Sequence, residues 1–185
     1  MTDAGPITPD ISAFLRAQPV FFVATAAAGA RLNLSPKGGD SLRVLDGRTV
    51  AYLDFTGSGA ETAAHLKHDG RIVLMVCAFE GAPRILRLWG TGEVLWHGTT
   101  ECAAVLPHFG EAATQPGIRA IVRITVAEAR TSCGYAVPLM AFQKPRNGLT
   151  RWAEKQGEAG LRAYRRANNA MSLDGLPTGL PEEPR

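Results

Sequence analysis

Residues 71–79 read RIVLMVCAF, a nearly unbroken apolar run set between Gly70 and the turn sequence EGAP. A run of this length, ended by turn residues and rich in β-branched side chains, reads as a strand covered on both faces, which places it in the middle of a sheet. The rest of the chain must supply its neighbours. Val20 to Thr25 is β-branched and aromatic, and after the small-residue turn AAAGA the segment RLNLS alternates Leu32 and Leu34 with Asn33 and Ser35. That predicts a hairpin whose second strand is half polar. Leu42-Arg43-Val44-Leu45 and the run from Thr49 to Leu53 flank Asp46-Gly47, a turn pair that favours a hairpin.

Helices are expected at the rim. Thr8-Pro9-Asp10 offers a start for ISAFLRAQ, where Ile11, Phe14 and Leu15 form one apolar stripe. Gly57-Ser58-Gly59 breaks the strand pattern ahead of the helix-forming AETAAHLKH. Ile85 to Trp96 reads as a strand bent or bulged at Gly90 and Gly92. Residues 100–109 read as a helix, residues 119–131 as a long alternating strand, and residues 149–167 as a further, highly charged helix. Its arginines, lysine and glutamates suit a solvated face. The sum is an α+β fold: a six- to seven-stranded antiparallel split β-barrel with short flanking helices. Residues 1–172 are expected to form a single domain, and the proline- and glycine-bearing residues 173–185 an extended C-terminal tail.

With 185 residues and 45% hydrophobic composition, one core is the expectation. The net charge of +3 comes from interleaved signs, which is no footprint for nucleic acid. No run approaches the roughly 18 apolar residues needed to span a bilayer, so no membrane partner is expected. The N-terminal MTDAGPITPD lacks the pattern of a signal or transit peptide. Cys77, Cys102 and Cys133 are scattered, and with His65, His68, His97 and His108 they form no metal-ligand spacing. A cytoplasmic location fits these features.

Four polar segments stand at strand ends. Asn33 and Ser35 share one strand face with Lys37 at its end, so they either line a ligand or form an outer polar face. In GSGAET, glycine N–H groups and a helix start can hold an anion with hydroxyls from Ser58 and Thr62; equally, Ser58 can be a helix cap, and Glu61 would repel a phosphate. Arg87, among apolar neighbours, needs an anionic or carbonyl partner or an exposed face. Cys133, with no histidine nearby in sequence, reads as a buried structural thiol. Tyr135, Trp152 and Tyr164 can stack on a planar ligand or fill core and interface.

In order, FFVATA, NLSPKG, TVAYLD, GSGAETAAHL, RIVLMVCAF, ILRLWGTGEV, SCGYAVP and SLDGLP, spanning about residues 14–177, resemble the pyridoxamine 5′-phosphate oxidase-like FMN-binding split-barrel family. The resemblance implies a homodimer holding FMN in equivalent clefts at the subunit interface. By position, Asn33, Ser35 and Lys37 would meet the isoalloxazine edge and part of the phosphate, Leu53 and Asp54 would pass beside the flavin, Ser58, Glu61 and Thr62 would form the phosphate-side loop, and Arg87 would reach across the dimer. The family's vitamin B6 oxidases carry a paired basic motif where this chain has Ala60-Glu61-Thr62, and a C-terminal arginine and histidine motif that has no counterpart here. The activity implied is therefore that of an FMN-dependent oxidoreductase acting on some other small-molecule substrate or electron acceptor. The alternatives are a flavin, deazaflavin or haem carrier, and a structural homodimer whose cleft has lost its ligand.

Overall fold

The structure, a computed structural model, describes residues 5–182. The start of the N-terminal stretch and the last three residues of the tail lie outside those described residues. In chain order the elements are α1 (Pro9–Ala17), β1 (Val20–Thr25), β2 (Asn33–Gly38), β3 (Leu42–Val44), β4 (Thr49–Phe55), α2 (Glu61–His68), β5 (Arg71–Cys77), β6 (Ile85–Trp96), α3 (Thr100–Val105), β7 (Ile118–Ser132) and α4 (Gly148–Asn168). A 3-10 segment, Leu106–Thr114, follows α3 and takes the place of the rest of the helix expected there.

All seven strands join one antiparallel sheet in the order β2-β1-β5-β6-β7-β4-β3. The sheet curls until its two ends meet through side chains. Lys37 on β2 reaches Asp54 on β4 at 3.0 Å, and the rings of Phe21 and Tyr52 make an edge contact with centroids 5.5 Å apart. The barrel is thus split between β2 and the β3–β4 hairpin. Its interior is a single apolar cluster that includes Val23, Tyr52, Leu74, Leu88 and Ile124. A second cluster, built on Ala51, Leu53 and Phe109, packs the other face of β4 against α3 and the 3-10 segment.

Local chemistry explains the elements. The Thr8 hydroxyl caps α1 by accepting from the Ile11 N–H at 3.3 Å, and Pro9 opens the helix. Gly90 sits at a register shift between β6 and β7, and a Cβ there would fall 2.2 Å from the Thr125 carbonyl oxygen. Only glycine permits that approach.

Three expectations need correction. β5 is central, and its inner row, Ile72, Leu74 and Val76, is buried along its length, whereas on the outer row Val73 and Met75 are half-buried and only Cys77 at the strand end is buried; no helix or strand among the described residues covers the outer face at Val73 and Met75. Cys133 is exposed, since β7 ends at Ser132 and the chain leaves the sheet there. The charged face of α4 is not wholly solvated: Arg165 is buried and donates to the Thr56 hydroxyl at 2.8 Å. α4 itself breaks at Gly157, where φ is +60°, and its two halves meet through Trp152 and Tyr164. Beyond α4 the chain turns back on the body, with Met171 bridged to Pro177 and Asp174 paired with Arg31. No helix among the described residues is long and apolar enough to cross a membrane.

Candidate functional site

The alternation of β2 puts Asn33, Ser35 and Lys37 on the inner side and Leu34 and Pro36 on the exposed side, the reverse of an ordinary half-buried strand. The inward polar row is satisfied by equally polar neighbours. Asn33 donates to the hydroxyls of Thr25 (3.2 Å) and Thr62 (3.1 Å), and its carbonyl oxygen accepts from the Ser35 hydroxyl (3.2 Å). Thr25 in turn bonds the Nδ1 of His65, one helical turn beyond Thr62 on α2, at 3.0 Å. This network locks β2 to β1 and α2, while the other edge of β2 pairs with no strand among the described residues.

A charged cluster lies beside it. Asp54 on β4 accepts from Lys37 at 3.0 Å through one oxygen and from Arg119 Nε at 2.6 Å through the other. Burial by itself would raise the Asp54 carboxyl, but the Arg119 guanidinium and then the Lys37 ammonium outweigh it and hold the carboxyl at about 2. Two cations thus share one carboxylate. The Lys37 ammonium also lies 5.7 Å from the centre of the Tyr52 ring, which joins the charged cluster to the barrel interior. Burial, followed by the nearby Asp54 charge, pushes the Tyr52 phenol well above its ordinary value.

Between α2 and β4 runs the loop of residues 57–59. Ser58 is exposed and does not cap α2; the position before the helix is Ala60, and no side chain caps it. Glu61 faces the C-terminal turn, where its carboxylate accepts from the Leu173 N–H at 3.0 Å. The loop is held from beneath by Asn169, which donates to the Gly57 carbonyl at 2.9 Å, and by Arg119, which donates to the Gly59 carbonyl at 2.8 Å.

Of the residues singled out in the sequence, Asn33, Ser35, Lys37, Asp54 and Thr62 come together in these two linked clusters, with Ser58 and Glu61 at their rim. Leu53 points the other way, into the second core cluster, and only its backbone N–H, bonded to Ser41, faces the barrel seam. Arg87 lies on the outer face of the sheet, opposite Met75, and bonds the Ser132 hydroxyl at 3.3 Å. It shares no contact with the clusters. Sequence reasoning missed Thr25, Tyr52, His65 and Arg119. For Arg119 a signal existed: a charge inside the apolar stretch IRAIV demands a buried partner.

The family described as pyridoxamine 5′-phosphate oxidase matches residues 7–133. The pyridoxamine 5′-phosphate oxidase family protein ustO of Aspergillus flavus is 36% identical over 178 residues, covering 86% of this chain and 70% of ustO. Among solved structures, HupZ of Group A Streptococcus aligns with a TM-score of 0.56 at 23% identity, over 73% of this chain and 99% of that one. The haem storage protein HutZ of Vibrio cholerae aligns with a TM-score of 0.51 at 16% identity, over 69% and 94%. The two structural likenesses establish a shared fold.

Proposed function

Since the chain belongs to the pyridoxamine 5′-phosphate oxidase family, we propose that it is a homodimeric FMN-binding protein that oxidises or reduces a small organic molecule. The observation that carries this reading is the free edge of β2 standing over an inward polar row and next to the loop of residues 57–59. Every second residue of an edge strand turns its N–H and C=O away from its only neighbour, and such a row of alternating donors and acceptors matches the edge of a planar heterocycle. Asn33 and Ser35 are already fixed by Thr25 and Thr62, so the strand presents that edge without reorganising. At the other end, the exposed backbone of Ser58 and Gly59 and the start of α2 offer donors to a phosphate. The residues present therefore fit FMN at both ends.

When bound, FMN supplies hydride and one-electron chemistry. The protein's part is to hold the ring against β2, to keep the inner side of the strand dry through the barrel core, and to tune the ring by hydrogen bonds from the strand edge. Support for the dimer comes from the uncovered outer face of the sheet, where Val73 and Met75 are half-buried and Leu34 is 68% exposed. The segment after β7 adds Tyr135 and Leu139, 82% and 80% exposed. Apolar surface on that scale marks an interaction face.

Titrating the purified protein with FMN, followed by flavin fluorescence, tests the reading. Binding at about micromolar Kd or tighter, with one FMN per chain, is the expected result; no saturable binding would contradict it. Multiple turnovers of NADH or NADPH oxidation with an added acceptor would then separate an oxidoreductase from a flavin carrier.

A further inference from the structure

The charged cluster beside β2 has a property that its role in closing the barrel does not use. Lys37 and Arg119 together carry two positive charges against the single negative charge of Asp54, and the Asp54 and Arg119 side chains are each only 5% exposed. Lys37 is 22% exposed, so solvent screens part of the excess, and the remaining positive charge favours a counter-ion. The guanidinium is also incompletely bonded: Nε serves Asp54, Nη2 serves the Gly59 carbonyl, and Nη1 is buried with no partner among the described residues. Nη2 ties the guanidinium that carries Nη1 to the loop of residues 57–59.

At the loop's other end, Asn169 is fully buried and its Oδ1 likewise has no partner among the described residues, while its Nδ2 holds the Gly57 carbonyl. The loop is thus clasped from beneath by two side chains that each leave one polar atom unsatisfied. Above them the loop is open, with Ser58 and Gly59 exposed, no hydrogen bond seen from the Ser58 side chain, and open space where a Cβ of Gly59 would stand. Gly57 and Gly59, on either side of Ser58, give this segment backbone freedom.

We propose that Arg119 is the anion anchor of this site: with the loop of residues 57–59 displaced, its Nη1 donates to a phosphate-type oxyanion whose negative charge completes the Lys37–Asp54–Arg119 cluster. This rests on the flavin reading above and assigns the phosphate end of the ligand to a residue outside the loop itself. It also explains how an acidic residue is tolerated at the head of α2. Glu61 is turned toward the Leu173 N–H, and the positive charge comes from beneath the loop instead of from the helix. Asp54 is in this view a positioning residue, holding the guanidinium so that one edge stays free.

The test compares FMN with riboflavin, which lacks the phosphate, in wild-type protein and in Arg119→Lys, which keeps the charge but loses the forked donors. The wild type is expected to bind FMN at least tenfold more tightly than riboflavin, and Arg119→Lys to lose at least tenfold in FMN affinity while riboflavin affinity changes less than twofold. Equal loss for both flavins, or no loss for FMN, would overturn the proposal. Should Arg119→Lys fail to fold, the double variant Arg119→Leu/Asp54→Leu removes the ion pair as a unit, and the same comparison applies. Thermal stabilisation by inorganic phosphate, against sodium chloride of equal ionic strength, separates the two readings. If neither flavin binds the wild type but phosphate raises its Tm and not that of Arg119→Lys, the anion anchor stands and the flavin falls. If phosphate stabilises both equally and flavin is absent, both fall.

Discussion

Asp54 concentrates the electrostatics of the site in one carboxylate. Its folded-state pKa of about 2 lies below the ordinary carboxylate value of 3.8, so the stability it contributes is fully present above that ordinary value. That contribution is lost as the pH falls from about 4 toward 2. Asp54→Asn leaves Arg119 buried beside a neutral amide and should cost about 3–5 kcal/mol at neutral pH. The variant should also show a flatter fall of stability across that acid window, as read by urea unfolding at a series of pH values. A cost below about 1 kcal/mol would mean that the cluster is solvated and the net charge argument fails. At this scale the sequence was partly legible. Asn33, Ser35 and Lys37 stood out because period-two spacing puts them on one face, and Thr62 because it opens a helix. Arg119 and His65 escaped because their partners, Asp54 and Thr25, lie 65 and 40 residues away along the chain. Such pairs are fixed by tertiary closure, which spacing in sequence does not encode.

Among the elements, β6 and β2 carry the most information. Gly90 and Gly92 marked a bend in β6, and the register shift falls between Trp89 and Gly90. Gly90→Ala would press a methyl into the Thr125 carbonyl of β7 and should destabilise by about 1–3 kcal/mol, lowering the urea midpoint without changing the m-value. An unchanged midpoint would mean that the β6–β7 pairing yields at no cost. β2 was legible as a strand but not in its orientation. Alternation gives two faces, and choosing between them needs the knowledge that the inner neighbours, Thr25 and Thr62, are themselves polar. β5 misled in the opposite direction: its continuous apolar run was read as covered on both faces, whereas among the described residues the outer row at Val73 and Met75 is only half-buried. The apolar outer row of β5 is what the proposed dimer would cover.

That uncovered face is the main feature of the whole molecule. The outer rows of β2, β1 and β5 bring Leu34, Phe22 and Met75 to one surface, and Tyr135 and Leu139 after β7 are exposed as well. Light scattering should give the mass of a dimer, and Leu34→Glu combined with Met75→Glu should give a monomer, since desolvating two charges at the centre of an apolar interface is strongly unfavourable. A monomeric wild type would remove the interface from the account. The fold class followed from strand spacing, the Asp46-Gly47 turn and the glycines of β6, all of which are local signals. The closure of the barrel through Lys37 and Asp54 is not local and became visible only in three dimensions.

The central claim, that this barrel holds FMN, is tested most directly by the absorption spectrum of protein purified without added cofactor, with mass spectrometry of what heat releases. The account predicts the two visible bands of an oxidised flavin and FMN as the released species. A colourless protein that also takes up no added FMN, or one that releases haem, would contradict it.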